Sequence, residues 1–312
     1  MKKHLLAIAV ASAVAVPAMA QVSISGRIDT SIGRYEDTAG KSTTRIESDL
    51  VTTNQIIISG SEDLGGGLKA SFSIVSPFAS DANSNPFNFG GRGATVSLSG
   101  GFGSIDLGRS PGNMANSIMA SSVVGNIGNL GTVQARPNNS INYSSPNMGG
   151  FTVRVLHSLG NEVDPNTGEQ TEISLQYSAG PLLVRLARND YDLVGSFGNG
   201  DETQAQLDYN FGVAKLNARY RKQTSDTSSA QSLKRFGVGV AVPLGSGLTA
   251  VADYQDWDNN TAVNSDMTRL TVGLIKDLSK RTNIYAAYVM DNQDNATLKD
   301  ADTLAVGIRH NF

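Results

Sequence analysis

The chain has 312 residues, a net charge of −3, 33 glycines and no cysteine, and its mean hydropathy is −0.18. The missing cysteines exclude a disulfide framework, Cys-ligated zinc, iron–sulfur clusters and a thiol nucleophile, and the charge gives no footprint for nucleic acid. Glycine costs about 1 kcal/mol per helix position relative to alanine, which disfavours a helix-rich fold; one large β domain, two ordinary domains or a membrane protein all stay open.

In chain order, the first segment is an address. Met1-Lys2-Lys3-His4 is basic, Leu5 to Val16 is apolar apart from Ser12, Pro17 interrupts it, and Ala18-Met19-Ala20 fits the A-x-A cleavage pattern. The apolar run is shorter than the roughly 20 residues a spanning helix needs. The expectation is a signal peptide over 1–20, cleaved after Ala20, and a single domain over 21–312. No later stretch reaches 18 apolar residues, so the exported chain is either soluble or a β-barrel, which crosses lipid with alternate residues only.

Residues 22–33 alternate. Val22, Ile24, Ile28 and Ile32 share a face with Gly26 and Thr30, while Ser23, Ser25, Arg27, Asp29, Ser31 and Gly33 share the other. The same pattern closes the chain, with Leu304, Val306, Ile308, His310 and Phe312 on one parity. Between these ends, Gly- and Pro-rich turns near 64–67, 100–103, 147–150, 179–181, 210–212, 244–247 and 279–282 alternate with long polar connections near 36–49, 78–90, 110–135, 158–171, 189–201, 222–232, 256–266 and 291–301. Seven turns and eight loops join sixteen strands. The fold this predicts is all-β, a transmembrane antiparallel β-barrel with short periplasmic turns and long outer loops. The sheet must close, because an open edge in lipid leaves unpaired backbone groups at several kcal/mol each. Tyr143, Tyr177 and Tyr209 beside the turns, and Tyr35, Tyr220, Tyr254 and Trp257 near the loops, suit aromatic girdles at two interfaces.

Gly60-Ser61-Glu62-Asp63-Leu64-Gly65-Gly66-Gly67-Leu68-Lys69-Ala70 looks like the first periplasmic turn of the Gram-negative general porin family, the type common in β-proteobacteria and neisseriae. Gly103 to Arg109 is similar to its fifth strand, Asn139 to Pro146 with Gly150-Phe151 to its sixth strand and turn, and Val306 to Phe312 to its closing strand. The resemblance implies a homotrimer of barrels in outer-membrane lipid and lipopolysaccharide. It also implies a third loop folded into each pore, wall arginines facing acids on that loop, and a terminal Phe312 read by the outer-membrane assembly machinery.

A narrow pore selects ions through the charges that line it. Arg27 faces the polar side of the first strand, and Arg136 resembles the constriction arginine ahead of the sixth. Arg92 resembles the arginine of the fourth strand, although its parity is that of Val96 and Leu98; either those side chains pack under the inward loop or the strand carries a bulge. Arg109 ends the fifth strand, where it could reach the pore or anchor the loop. Gln55 and Ser59 stand where the family's second strand carries basic residues, so one constriction arginine is missing. Residues 110–135 contain no Asp or Glu, so the usual acidic partner is missing too, and Asp29 and Asp106 on polar strand faces could partly compensate. The expected pore is weakly anion-preferring or near-neutral.

Other classes find less support. The chain beyond residue 20 has only His157 and His310, and no H-E-x-x-H, G-x-S-x-G or P-loop motif, so an outer-membrane hydrolase is disfavoured and no cofactor or metal is expected. A substrate-selective channel or surface receptor stays as the alternative, but the third-loop region has no aromatic residue to build a sugar track.

Overall fold

The computed structural model describes residues 21–81, 87–132, 135–160, 168–192, 198–226, 232–260, 266–294 and 297–312. The expected signal peptide lies outside them, as do parts of seven of the eight long connections. Seventeen strand segments are described: β1 (Gln21–Glu36), β2 (Ser42–Ser48), β3 (Gln55–Gly65), β4 (Leu68–Pro77), β5 (Gly93–Gly100), β6 (Gly103–Arg109), β7 (Ser140–Ser144), β8 (Phe151–Leu159), β9 (Glu169–Ala179), β10 (Leu182–Asp192), β11 (Asn199–Asn210), β12 (Lys215–Ser225), β13 (Ser232–Gly245), β14 (Leu248–Asn260), β15 (Met267–Asp277), β16 (Thr282–Gln293) and β17 (Ala301–Asn311).

The segments pair antiparallel in one sheet, and β17 closes it onto β1 from Arg27↔Asn311 to Tyr35↔Thr303. The lower half of β1 pairs with β3, from Gln21↔Ser61 to Arg27↔Gln55, and its upper half pairs with β2, from Thr30↔Ser48 to Glu36↔Ser42. β2 and β3 therefore form one stave interrupted at residues 49–54, and the barrel has sixteen staves, as the alternation predicts. Part of the expected 36–49 loop is thus strand β2. The seven short turns fall at the expected positions, six of them carrying glycine and the β15–β16 turn built from Ser279-Lys280-Arg281.

Parity decides what each side chain meets. Val22, Ile24, Ile32, Leu304, Val306 and Ile308 are exposed on the outside, while Asp29, Asn189, Glu202, Gln204, Arg219 and Gln255 are buried within. This inverts a soluble protein, and it suits a wall with lipid outside, where Arg or Lys costs roughly 2–4 kcal/mol at midplane. Among the described residues no helix is long and apolar enough to cross a membrane. Rings gather at the turn end, where Phe151 and Tyr177 lie 4.5 Å apart and Tyr209 and Phe211 the same. Two expected girdle residues are corrected. Tyr35 and Trp257 sit on the lumen parity of β1 and β14, and Tyr35 is buried there.

Candidate pore constriction

The third loop, described over residues 110–132, enters the barrel. It forms a short helix α1 (Met114–Met119) and a 3-10 turn at Gly125–Gly128. Met114, Ile118, Met119 and Leu130 bury against Ala187 and Trp257, while Val124 and Ile127 bury against Val51, Val251, Tyr285, Ala287 and Val289. Each full burial of such a side chain contributes about 1.5–3 kcal/mol. A loop that is apolar on one side and free of charge thus makes a dry surface in a polar lumen together with these wall residues.

Polar groups fix the loop's position. Glu172 on β9 accepts the Met114 and Ala115 N–H groups at 2.8 and 2.9 Å, and Asn113 caps α1 by accepting the Asn116 N–H at 2.8 Å. Asp253 on β14 takes the Ser122 hydroxyl at 2.9 Å and pairs with Arg219 at 2.5 Å, both charged side chains being fully buried. Arg219 also donates to the Gly128 carbonyl, and Arg221, paired with Glu202, and Arg235 donate to the Leu130 carbonyl. Arg269, held bidentate by Asp291, donates to the Ile127 carbonyl at 3.2 Å. Two glycines of β13 leave room: a Cβ at Gly237 would lie 2.7 Å from the Arg219 guanidinium, and one at Gly239 would lie 2.7 Å from Val123. The acids missing from the loop are supplied by the wall it rests on.

Sequence reasoning did not single out this latch. Its members stand at every second position of β9, β11, β12 and β14, so their lumen orientation is readable. Their pairing needs the register between strands, from β11 to β12 for Glu202 and Arg221, from β15 to β16 for Arg269 and Asp291, and across β13 for Arg219 and Asp253.

The sequence-chosen residues gather on the other wall. Arg27 donates through Nε to the Thr53 carbonyl at 3.0 Å, with Gln55 buried opposite it across the β1–β3 ladder. Arg92 does not follow the parity of β5. Val96 and Leu98 face outward, so they do not pack under the loop. Arg92 instead lies in a tight reversal before the strand, where the Gly91 N–H donates to the Asn88 carbonyl and the Gly93 N–H to the Gly90 carbonyl, both at 3.0 Å. That reversal resets the parity. Burial, then the charges of Arg136 and Arg27, pull the Arg92 pKa down to about 10, so it is charged at neutral pH. Burial and Arg109 act on Arg136 in the same direction. Among the described residues no carboxylate lies within ion-pair distance of Arg27, Arg92 or Arg136. Further toward the turn end, Arg154 and Arg185 face the lumen, held through Nε by Ser144 at 3.0 Å and Gln176 at 2.8 Å.

Three expectations change. Asp29 is not a wall charge: it is fully buried and accepts the Val51 N–H at 2.8 Å, the Thr52 N–H at 2.6 Å and the Tyr285 hydroxyl at 2.6 Å. Asp106 is tied to Asn142 on β7 at 3.0 Å, near the turn end of β6 and away from the loop. Arg109 anchors the base of the loop, donating to the Gly91 carbonyl at 3.1 Å and to Asn138. His157 and His310 sit on the outward parity, each 2.9 Å from a threonine hydroxyl of the next strand.

A closed antiparallel barrel, apolar outside and polar inside, narrowed by one loop packed into its lumen, is the build of an outer-membrane diffusion channel. The chain matches the Gram-negative porin family over residues 7–296 and belongs to it. It is 30% identical to outer membrane porin protein 32 of Delftia acidovorans and 27% identical to the major outer membrane protein P.IB of Neisseria gonorrhoeae, each over the whole of both chains. Among solved structures it resembles the anion-selective porin from Comamonas acidovorans, with a TM-score of 0.80 and 27% identity over 94% of this chain and 100% of that one. The protein is an outer-membrane porin, and its barrel is a passive channel.

Proposed function

We propose that the barrel is a general diffusion pore for small hydrophilic solutes and ions, with a weak preference for anions. The observation that carries this reading is the group Arg27, Arg92 and Arg136, with no carboxylate at ion-pair distance among the described residues, beside a third loop without acidic side chains over residues 110–135. Low-dielectric walls strengthen such charges relative to bulk water. Arg154 and Arg185 continue the basic wall toward the periplasmic end. The description of the Comamonas relative as anion-selective supports the same sign.

In this reading the residues 1–20 are a signal peptide removed after Ala20, and 21–312 form the single barrel domain. The protein works as a homotrimer among outer-membrane lipid and lipopolysaccharide, as a channel and not as a hydrolase. The assembly machinery recognises the last strand through Phe312, whose main chain pairs with Gly26 through two 3.0 Å hydrogen bonds across the closing seam. Planar-bilayer recording of the purified protein in a salt gradient tests the central claim. The expected reversal potential has the sign of modest anion preference; strong cation selectivity overturns it.

A further inference from the structure

The second stave leaves the sheet at residues 49–54 and passes into the lumen. Asp29 holds this excursion from the wall side through Val51 and Thr52, and its carbonyl accepts the Asp49 N–H at 3.2 Å. Asn126 of the third loop holds it from the lumen side, donating through Nδ2 to the Asp49 carbonyl at 2.8 Å and through its backbone N–H to the Val51 carbonyl at 2.7 Å. Gly125 lies against the same strip at φ +67, where a Cβ would lie 2.1 Å from the Val51 carbonyl oxygen. The excursion is therefore a fixed part of the constriction, clamped between barrel and loop.

Asp49 opens it, at φ 66, with one carboxylate oxygen accepting the Asn54 N–H at 2.6 Å. Its charge acts on Arg92 and on Arg27, and no direct ion pair with either consumes it. The other acid acting on Arg27 is Asp29, whose oxygens are spent on Val51, Thr52 and Tyr285. A cavity of about 300 Å³ toward the outer ends of the strands borders Asp49, Leu50, Asn126 and Ile127, leaving the excursion open to solution on that side.

We infer that Asp49 is a selectivity-determining residue of this pore, the carboxylate that moderates the field of Arg27 and Arg92 and keeps anion preference weak. The second stave supplies the counter-charge that the acid-free third loop does not. The inference rests on the reading that Arg27 and Arg92 line the ion path.

Asp49→Asn is the fitting test. Asparagine is isosteric, keeps the acceptor for the Asn54 N–H and is at home at positive φ. The measurement is the reversal potential of the full-length exported protein in planar bilayers under a potassium chloride gradient. The expected result is a rise of about 2-fold or more in the anion-to-cation permeability ratio, because one charge is removed from a low-dielectric pore. A second readout needs no substitution. Burial pushes the Asp49 carboxyl above its ordinary range, with the Asn54 N–H and Arg92 pulling it back and Asp29 and Asp81 pushing it further up; Arg27 also faces it. Acidification from about pH 7 to about pH 4 therefore removes more of its charge than an ordinary carboxylate would lose and raises anion preference in the wild type. The ratio in Asp49→Asn changes less over the same interval.

Arg92→Gln separates the two levels of the argument. If it lowers the ratio while Asp49→Asn leaves the ratio unchanged, Asp49 is not the counter-charge and the arginine reading stands. If neither substitution moves the ratio, the arginine reading itself fails. A wild-type ratio that follows acid no more than the variant's also overturns the assignment.

Discussion

The two walls of the lumen use the same residue type for opposite ends. On the wall made by β9 to β15, Arg219, Arg221 and Arg269 are each paired with a carboxylate and donate to third-loop carbonyls. On the wall that holds Arg27, Arg92 and Arg136, no carboxylate comes within ion-pair distance of these guanidiniums among the described residues. Pairing decides the outcome. A guanidinium between a carboxylate and a carbonyl spends its field inside the protein and fixes geometry, whereas an unpaired one projects its field into the water it faces. Charge counts along the chain cannot separate the two, because both walls contribute arginines.

The comparison is most exposed to Asp253→Ala. Removing the partner of fully buried Arg219 leaves an uncompensated charge, expected to cost about 3–5 kcal/mol of stability. A denaturant titration followed by Trp257 fluorescence reads it, and a loss below about 1 kcal/mol would mean that the wall does not latch the loop. Glu172→Ala comes next. It strips two charge-assisted bonds from the start of α1, with an expected loss of about 1.5–3 kcal/mol and a noisier single-channel current. Asn113→Ala removes the helix cap, and about 1 kcal/mol should disappear in the same titration. The smallest energetic effect belongs to the other wall. Arg136→Ala should lower the anion-to-cation ratio by about 2- to 3-fold and leave stability unchanged. A variant with the reverse pattern, stable selectivity and lost stability, would assign Arg136 to the latch and erase the distinction between the walls.

Most of the fold was legible because β structure in lipid has a strict grammar. Period-two alternation marks both faces of β1 and β17, and glycines mark six of the seven turns, the seventh being the polar Ser279-Lys280-Arg281-Thr282. The errors have specific causes. Closeness to a loop suggests a girdle for Tyr35 and Trp257, but their odd positions on β1 and β14 place them inside. The break in the second stave was hidden because residues 42–48 read as a polar loop until their pairing with β1 showed them to be strand. Strand alternation misplaces Arg92 because parity does not carry through the reversal at Asn88–Gly93. Asp29 read as a pore charge because its alternation is right, but a side chain facing the lumen can still be sealed there by Val51, Thr52 and Tyr285.

By itself the sequence determined the class of molecule, the number of crossings, the two faces of β1 and β17, and a third-loop region without Asp or Glu, while the inward turn of that region came only from the family resemblance. The tertiary structure alone decided which lumen charges are spent and which are free. Arg219 reaches Gly128 across 91 residues and Arg269 reaches Ile127 across 142. Such meetings depend on barrel closure and on strand register, which one residue's facing does not encode. The sign of a face is a local property of alternation, whereas the partner of a charge is a property of the closed ring.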